Sequence, residues 1–297
     1  MNALLNRLPF ISSIVLGVFF AIAARHGLSG TTLMLIVSSV LMFAACWTSA
    51  VQLVGGRSAL VFVVIAFVVG WFAEQTGSSY GWFFGEYVYT DVLGPRLVDV
   101  PLIIPLMWFA LCWVAYVIGN FIILHAPVDP NHGLGNSVIM SLLAGMIVTA
   151  YDLGADPYMV FVLKAWIMTK TDGWWFGETL QGFAGWTFIT FVIVGAFRLS
   201  LRVWPACPAS RTGGWQALLP LVIYGASMLF QMIYGSPVET RTIALFAMGI
   251  PLLCAGLGWS RWRRAAAADT AAAAAAAADT APAPAPAVAL AAERASA

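Results

Sequence analysis

The chain has 297 residues, of which 61% are apolar and only 9% charged, and its mean hydropathy is +0.89. Soluble domains carry about a quarter charged residues, so this composition excludes an ordinary soluble protein and defines a polytopic membrane protein. The formal net charge of +1 excludes the basic field that nucleic-acid binding requires.

A helix needs about twenty apolar residues to cross a bilayer. In chain order, suitable runs are Leu8–Ala24, Thr31–Val54, Ala59–Ala73, Pro101–Leu124, Leu134–Tyr151, Phe183–Trp204, Trp215–Tyr234 and Thr242–Trp259. They predict an all-α bundle of about eight transmembrane helices. The first run has no convincing small-residue cleavage site and reads as a span, not as a signal peptide. Tyr158–Met168 is apolar but too short to cross, which predicts a re-entrant or interfacial half-helix packed within protein or lining a cavity. From Ala265 the sequence turns to alanine and Ala-Pro alternation. It divides the chain into a transmembrane domain, 1–264, and a disordered tail, 265–297.

Arginine and lysine set orientation through the positive-inside rule. Arg7, Arg57, Arg198, Arg202, Arg211, Arg261, Arg263 and Arg264 fall on one predicted face, and Arg25, Arg96, Lys164, Lys170 and Arg241 on the other. This places both termini in the cytoplasm, in a multi-pass protein of the inner membrane. Cys46, Cys112, Cys207 and Cys254 are scattered, and His26, His125 and His132 lie at or beyond helix ends, so no metal site is read.

One motif is written twice. Gly81-Trp82-Phe83-Phe84-Gly85-Glu86 returns as Gly173-Trp174-Trp175-Phe176-Gly177-Glu178, with two predicted spans between the copies. Both copies therefore emerge on the same membrane face. Taken singly, each suits an interfacial aromatic belt; taken together with nearby acids, they suggest two walls of one pocket, the glycines allowing close approach and Glu86 and Glu178 lying at the interface.

Among the acids, Asp91, Asp99 and Asp129 read as loop residues. Glu74 and Asp152 are placed differently, each in the last turn of a predicted span, where the helix dipole and desolvation both disfavour a negative charge. Asp156 lies one turn beyond Asp152, but Pro157 argues against a helix continuing through it. Structural pairing with Arg96, Lys164 or Lys170 is the alternative for these acids. The surrounding aromatics are Tyr80, Trp82, Phe84, Tyr87, Tyr89, Trp108, Trp166, Trp174, Trp175, Phe176 and Trp186. A proton-carrying carboxyl among aromatic faces can protonate an alkene in a lipid-soluble substrate and shelter the resulting cation.

The block from Glu74 through Tyr80-Gly81-Trp82-Phe83-Phe84-Gly85-Glu86-Tyr87-Val88-Tyr89-Thr90, with Leu93-Gly94, Val100-Pro101, Ile104-Pro105 and Trp108, resembles the carotenoid biosynthesis membrane-protein family. That family includes the CruF-type carotenoid 1',2'-hydratases and the bisanhydrobacterioruberin hydratases. Tyr151-Asp152-Leu153-Gly154-Ala155-Asp156-Pro157 and Trp174-Trp175-Phe176-Gly177-Glu178, followed by Gly185-Trp186, are similar to its second signature. Where that signature carries a Pro and an Asn–Phe pair, this chain reads Glu178 to Phe183.

The resemblance implies a hydro-lyase that adds water to the terminal double bond of a linear ψ-end carotenoid in the bilayer. Lycopene, γ-carotene and a C50 analogue are the substrates it suggests, with no cofactor and with other carotenoid enzymes as possible neighbours. Under this reading Glu74 or Asp152 is the acid, the other orients water, and Asp156 stands in reserve. Tyr80, Trp82, Trp174 and Trp175 line the cation pocket. A transporter, a non-catalytic scaffold, and an isomerase or cyclase working through the same cation remain the alternatives.

Overall fold

The computed structural model describes residues 30–129, 133–207 and 214–279. Seven helices in it are long and apolar enough to cross a membrane: α1 (Thr31–Val54), α2 (Gly56–Tyr80), α3 (Ile103–Leu124), α4 (Leu134–Pro157), α5 (Leu180–Val203), α6 (Gly214–Tyr234) and α7 (Glu239–Asp279). The expected span Leu8–Ala24 lies outside the described residues. The fold is a polytopic helical bundle.

The bundle is built around α3, which has no charged side chain and touches all six other helices. Because lipid tails are as apolar as leucine, such helices are held by close van der Waals packing and by small residues at the contacts. A Cβ at Gly70 of α2 would run into the Trp108 ring of α3, and one at Gly145 of α4 into the Thr187 backbone of α5. Phe62, Phe109, Trp113, Tyr116 and Phe197 fill the centre, with Phe62 and Phe197 stacked at 4.1 Å.

At the end of the bundle that holds the C-termini of α3 and α5, Arg198 is fully buried. It donates to Asn120 Oδ1 at 2.6 Å, pairs with Asp129 at 3.7 Å and lies 4.6 Å over the Tyr116 ring. Two expectations are corrected here. Asp129 is not a solvated loop acid, and Arg198 cannot help set orientation, because each neutralises the other inside the protein.

Both acid-bearing helices run past their expected ends. Hydropathy falls after Ala73, but the polar turn that follows stays helical. Thr76 Oγ1 bonds back to Phe72 O at 2.8 Å, and the helix closes only at Gly81 in the left-handed conformation. Glu74 is therefore not in a last turn.

Helix α4 continues through Pro157 and widens into a π-helical turn, Tyr158–Leu163. Proline removes one i→i−4 bond, and a wider register follows where that ladder is interrupted. Asp152 and Asp156 thus lie one turn apart on a single helix, and the helix-end argument for Asp152 falls away. The apolar stretch after Pro157 is the end of α4 followed by strand β4 (Trp166–Met168), not a separate re-entrant helix.

At the opposite end from Arg198, short strands cap the bundle: β1 (Tyr87–Tyr89), β2 (Arg96–Leu97), β3 (Val100–Pro101) and β4. β1 pairs antiparallel with β4, with Tyr87 opposite Met168 and Tyr89 opposite Trp166. β2 pairs with β3. Beyond Ala265, where the sequence suggested a disordered tail, α7 instead continues through the alanine run to Asp279, because alanine is the best helix former.

Candidate active site

The β1–β4 ribbon positions the first part of the site. Side chains alternate along a strand, and in β1 they read buried, exposed, buried, so Tyr87 and Tyr89 both turn inward. Both hydroxyls reach Glu74 Oε2, at 2.5 and 2.6 Å, and the Trp108 indole donates to Oε1 at 2.8 Å. Each Glu74 oxygen therefore accepts at least one hydrogen bond. Burial, followed by the adjacent Glu74 charge, pushes both tyrosine hydroxyls well above the usual range, so they stay protonated and act as donors.

Three more carboxyls share the chamber. Glu74, Asp152, Asp156 and Glu178 are 4%, 3%, 8% and 2% exposed, and all four line one cavity of about 610 Å³. Among the described residues none of them forms an ion pair with lysine or arginine; Arg96 pairs instead with Asp91, and Lys164 and Lys170 are exposed. The Asp156 carboxyl meets that of Glu178 and the Trp166 side chain. Burial, reinforced by Asp156, raises Glu178 far above the usual carboxyl range, which leaves it protonated at neutral pH. Among the described residues no group of three or more His, Cys, Asp or Glu side chains is placed to hold a metal ion.

Glu178 owes its position to the second hexapeptide, which is a tight hairpin. Gly173 and Gly177 pair across it, Gly177 has a φ of 95°, and a Cβ at Gly173 would run into the Glu178 carbonyl. The Trp175 indole donates to Leu153 O at 3.0 Å, pinning the hairpin to α4 between the two aspartates. The first hexapeptide lies over α5, where Gly185 makes room for the Phe83 backbone and Gln181 donates to Gly81 O at 3.0 Å. The two copies are thus brought to one face and fixed to neighbouring helices.

The expected aromatic lining divides into three groups. Phe84, Tyr87, Tyr89, Trp166 and Trp186 line the cavity. Trp108 is behind the wall, stacked on Trp186 at 4.5 Å and bonded to Glu74. Tyr80, Trp82 and Trp174 are exposed, and Trp175 and Phe176 pack against each other in the hairpin. The expectation that Tyr80, Trp82, Trp174 and Trp175 form the cation pocket is corrected: turn geometry directs the tryptophans and Tyr80 away from the chamber and keeps the backbone and Glu178 towards it.

Glu178 is the residue that sequence reasoning undervalued. Its counterpart Glu86 is exposed, so the repeat itself gave no means of telling the two apart.

Beyond the acids the cavity is apolar. It runs between α1 and α6, lined by Met34, Leu35 and Met42 on one side and by Ala226, Leu229 and Phe230 on the other. The two helices are tied by a Ser49 Oγ to Gln216 O bond of 2.9 Å near the end away from the acids. Ala226 and Leu229, on the membrane-spanning helix α6, both line this cavity and are exposed.

These features define a multi-pass helical membrane protein with a buried chamber of acids and aromatics at one end of its bundle. A family model described as "Carotenoid biosynthesis protein" matches residues 30–275. The chain belongs to the carotenoid biosynthesis protein family. It is also similar to a bisanhydrobacterioruberin hydratase of Haloarcula japonica, at 30% identity over 147 residues, which are 49% of this chain and 46% of that protein. The alignment thus spans about half the length of the curated relative. No solved structure matches the chain.

Proposed function

We propose that the protein is a cofactor-independent carotenoid hydratase that adds water to the terminal 1',2' double bond of a linear ψ-end carotenoid. The observation that carries this reading is the cavity: four buried carboxyls, without basic partners among the described residues, lie at one end of a largely apolar slot of about 610 Å³. A carrier for ions would need no long apolar slot, and a scaffold would need no buried acids. The name of the Haloarcula japonica relative points to the same reaction class.

In this mechanism a carboxyl of the cluster protonates the less substituted alkene carbon. The tertiary cation that forms is sheltered by the faces of Phe84, Trp166 and Trp186, and aromatic rings stabilise desolvated cations by about 2 kcal/mol or more. Water then attacks the cation and gives its proton to a second carboxylate. Glu74, held by three donors, and Asp152 are the groups proposed to orient that water and stabilise the positive charge, with Asp156 joining the proton relay. The remaining polyene lies along the slot between α1 and α6 and reaches the lipid through a sideways mouth proposed at Ala226, which both lines the cavity and is exposed.

The exposed cations of the described residues support an orientation. Arg57, Arg202, Arg261, Arg263 and Arg264 lie at the end away from the acids, while Arg96, Lys164, Lys170 and Arg241 share the acid-bearing end with Glu86, Asp91, Asp99, Asp172 and Glu239. Under the positive-inside rule the arginine-rich end is cytoplasmic. The chamber then faces the outer side of the inner membrane. The test is incubation of membranes containing the protein with lycopene or γ-carotene, followed by chromatography for a tertiary alcohol. Absence of any product would favour the carrier or scaffold.

A further inference from the structure

Within the hydration reading, and resting on it, one acid has the geometry to be the proton donor. We infer that Glu178, sharing a proton with Asp156, is the catalytic acid that protonates the alkene.

Two carboxyls meet inside the protein with no lysine or arginine paired to either among the described residues. Two like charges cannot both be held at that separation in a poorly solvated site, and a shared proton removes the conflict. Neither Glu178 oxygen makes a well-formed hydrogen bond among the described residues, so the group is free to deliver a proton into the cavity it lines.

Glu74 contrasts with it in its hydrogen bonding. It accepts from Tyr87, Tyr89 and Trp108, an arrangement suited to an acceptor and not to a donor. The fold also invests in Glu178: a two-glycine hairpin and the Trp175 bond to α4 hold it in place, whereas Glu86 at the same motif position is left in solvent.

The cycle balances without an outside proton. The O–H bond of Glu178 breaks as a C–H bond forms at the less substituted alkene carbon, leaving a tertiary cation whose positive charge offsets the second negative charge then carried by the Glu178–Asp156 pair. Water forms the C–O bond and passes its proton to the Asp152 carboxylate. Asp152 and Asp156 are one helical turn apart, so the proton returns through Asp156 to Glu178. One alkene and one water become one alcohol.

The test combines infrared spectroscopy with kinetics on the full-length protein in membranes. The wild type should show the carbonyl band of a protonated carboxyl at neutral pH, shifted in deuterated water. Glu178→Gln should lose the band and Glu86→Gln should keep it. Hydration by Glu178→Gln should fall by about 100-fold or more, the scale of general acid catalysis, with KM unchanged, and Glu178→Asp should recover part of the rate. Glu178→Gln hydrating at the wild-type rate, or a wild type that hydrates without the band, would overturn the inference alone. A wild type that carries the band but hydrates no carotenoid would overturn the functional reading and, with it, the alkene as the proton's acceptor.

Discussion

The hydroxyl of Tyr89 donates to Glu74 at 2.6 Å from a strand that is itself held by Trp166 on its partner strand. This links the extramembrane ribbon to a carboxyl inside helix α2, so the ribbon orients the site as well as covering it. Tyr89→Phe removes one donor and leaves the ring, which packs edge-on to Trp166 at 6.1 Å. Hydrogen bonds to charged groups contribute about 1.5–3 kcal/mol, so hydration should fall roughly 10- to 100-fold with the protein still folded. Steady-state rates on one carotenoid and a thermal melt in detergent check both halves.

Glu74→Gln and Asp152→Asn are nearly isosteric, and each removes an ionisable carboxyl from the chamber. Each should lower hydration by at least about 100-fold, the range expected for a positioned acid or base, without affecting membrane insertion. Two fully active variants would show that these acids are structural.

The sideways mouth predicts a dependence on substrate length. Ala226→Trp places a large ring at the proposed mouth of the slot. Overfilling an apolar pocket typically costs about 1–3 kcal/mol, so KM for a full-length carotenoid should rise about tenfold. A short isoprenoid alkene that occupies only the acid end should be turned over as before. Equal effects on both substrates would place the entrance elsewhere.

Arg198 tests the opposite end of the bundle. Removing one partner of a buried pair costs on the order of 3–5 kcal/mol because the other charge is stranded. Arg198→Leu should therefore unfold at a markedly lower temperature, and adding Asp129→Leu should restore part of the loss. Thermal unfolding in detergent distinguishes this from a simple packing defect, which the second substitution would worsen.

The pH dependence has a defined sign. Burial raises Glu178 and keeps it protonated through the neutral range. Because the folded protein holds this proton more tightly than the unfolded chain, Glu178 weighs on stability increasingly as pH rises above the ordinary carboxyl value. Glu178→Gln should therefore stabilise the protein in alkaline buffer relative to acidic buffer, measured as the difference in melting temperature.

The helices were legible because long uncharged runs such as Ile103–Leu124 have only one way to satisfy their backbone in a bilayer. The meeting of the two hexapeptides was also legible, since two spans separate them. Hydropathy could not show that α2 continues past Ala73, because its last turns are built of polar residues such as Glu74, Gln75 and Thr76. Nor could it show that α4 passes through Pro157, which local preference opposes. Side-chain direction within the hexapeptides was hidden as well: Glu86 and Glu178 have the same motif context, and the difference lies in a turn and a hairpin that dispose the chain oppositely. Asp129 and Arg198 read as solvated charges because their partnership spans 69 residues and exists only in the folded bundle.

The central claim is water capture by a carotenoid cation, and isotope labelling tests it most directly. Membranes containing the protein should convert lycopene or γ-carotene in oxygen-18 water to a tertiary alcohol with one labelled hydroxyl for each end modified. An isomerised or cyclised product without label would contradict the account.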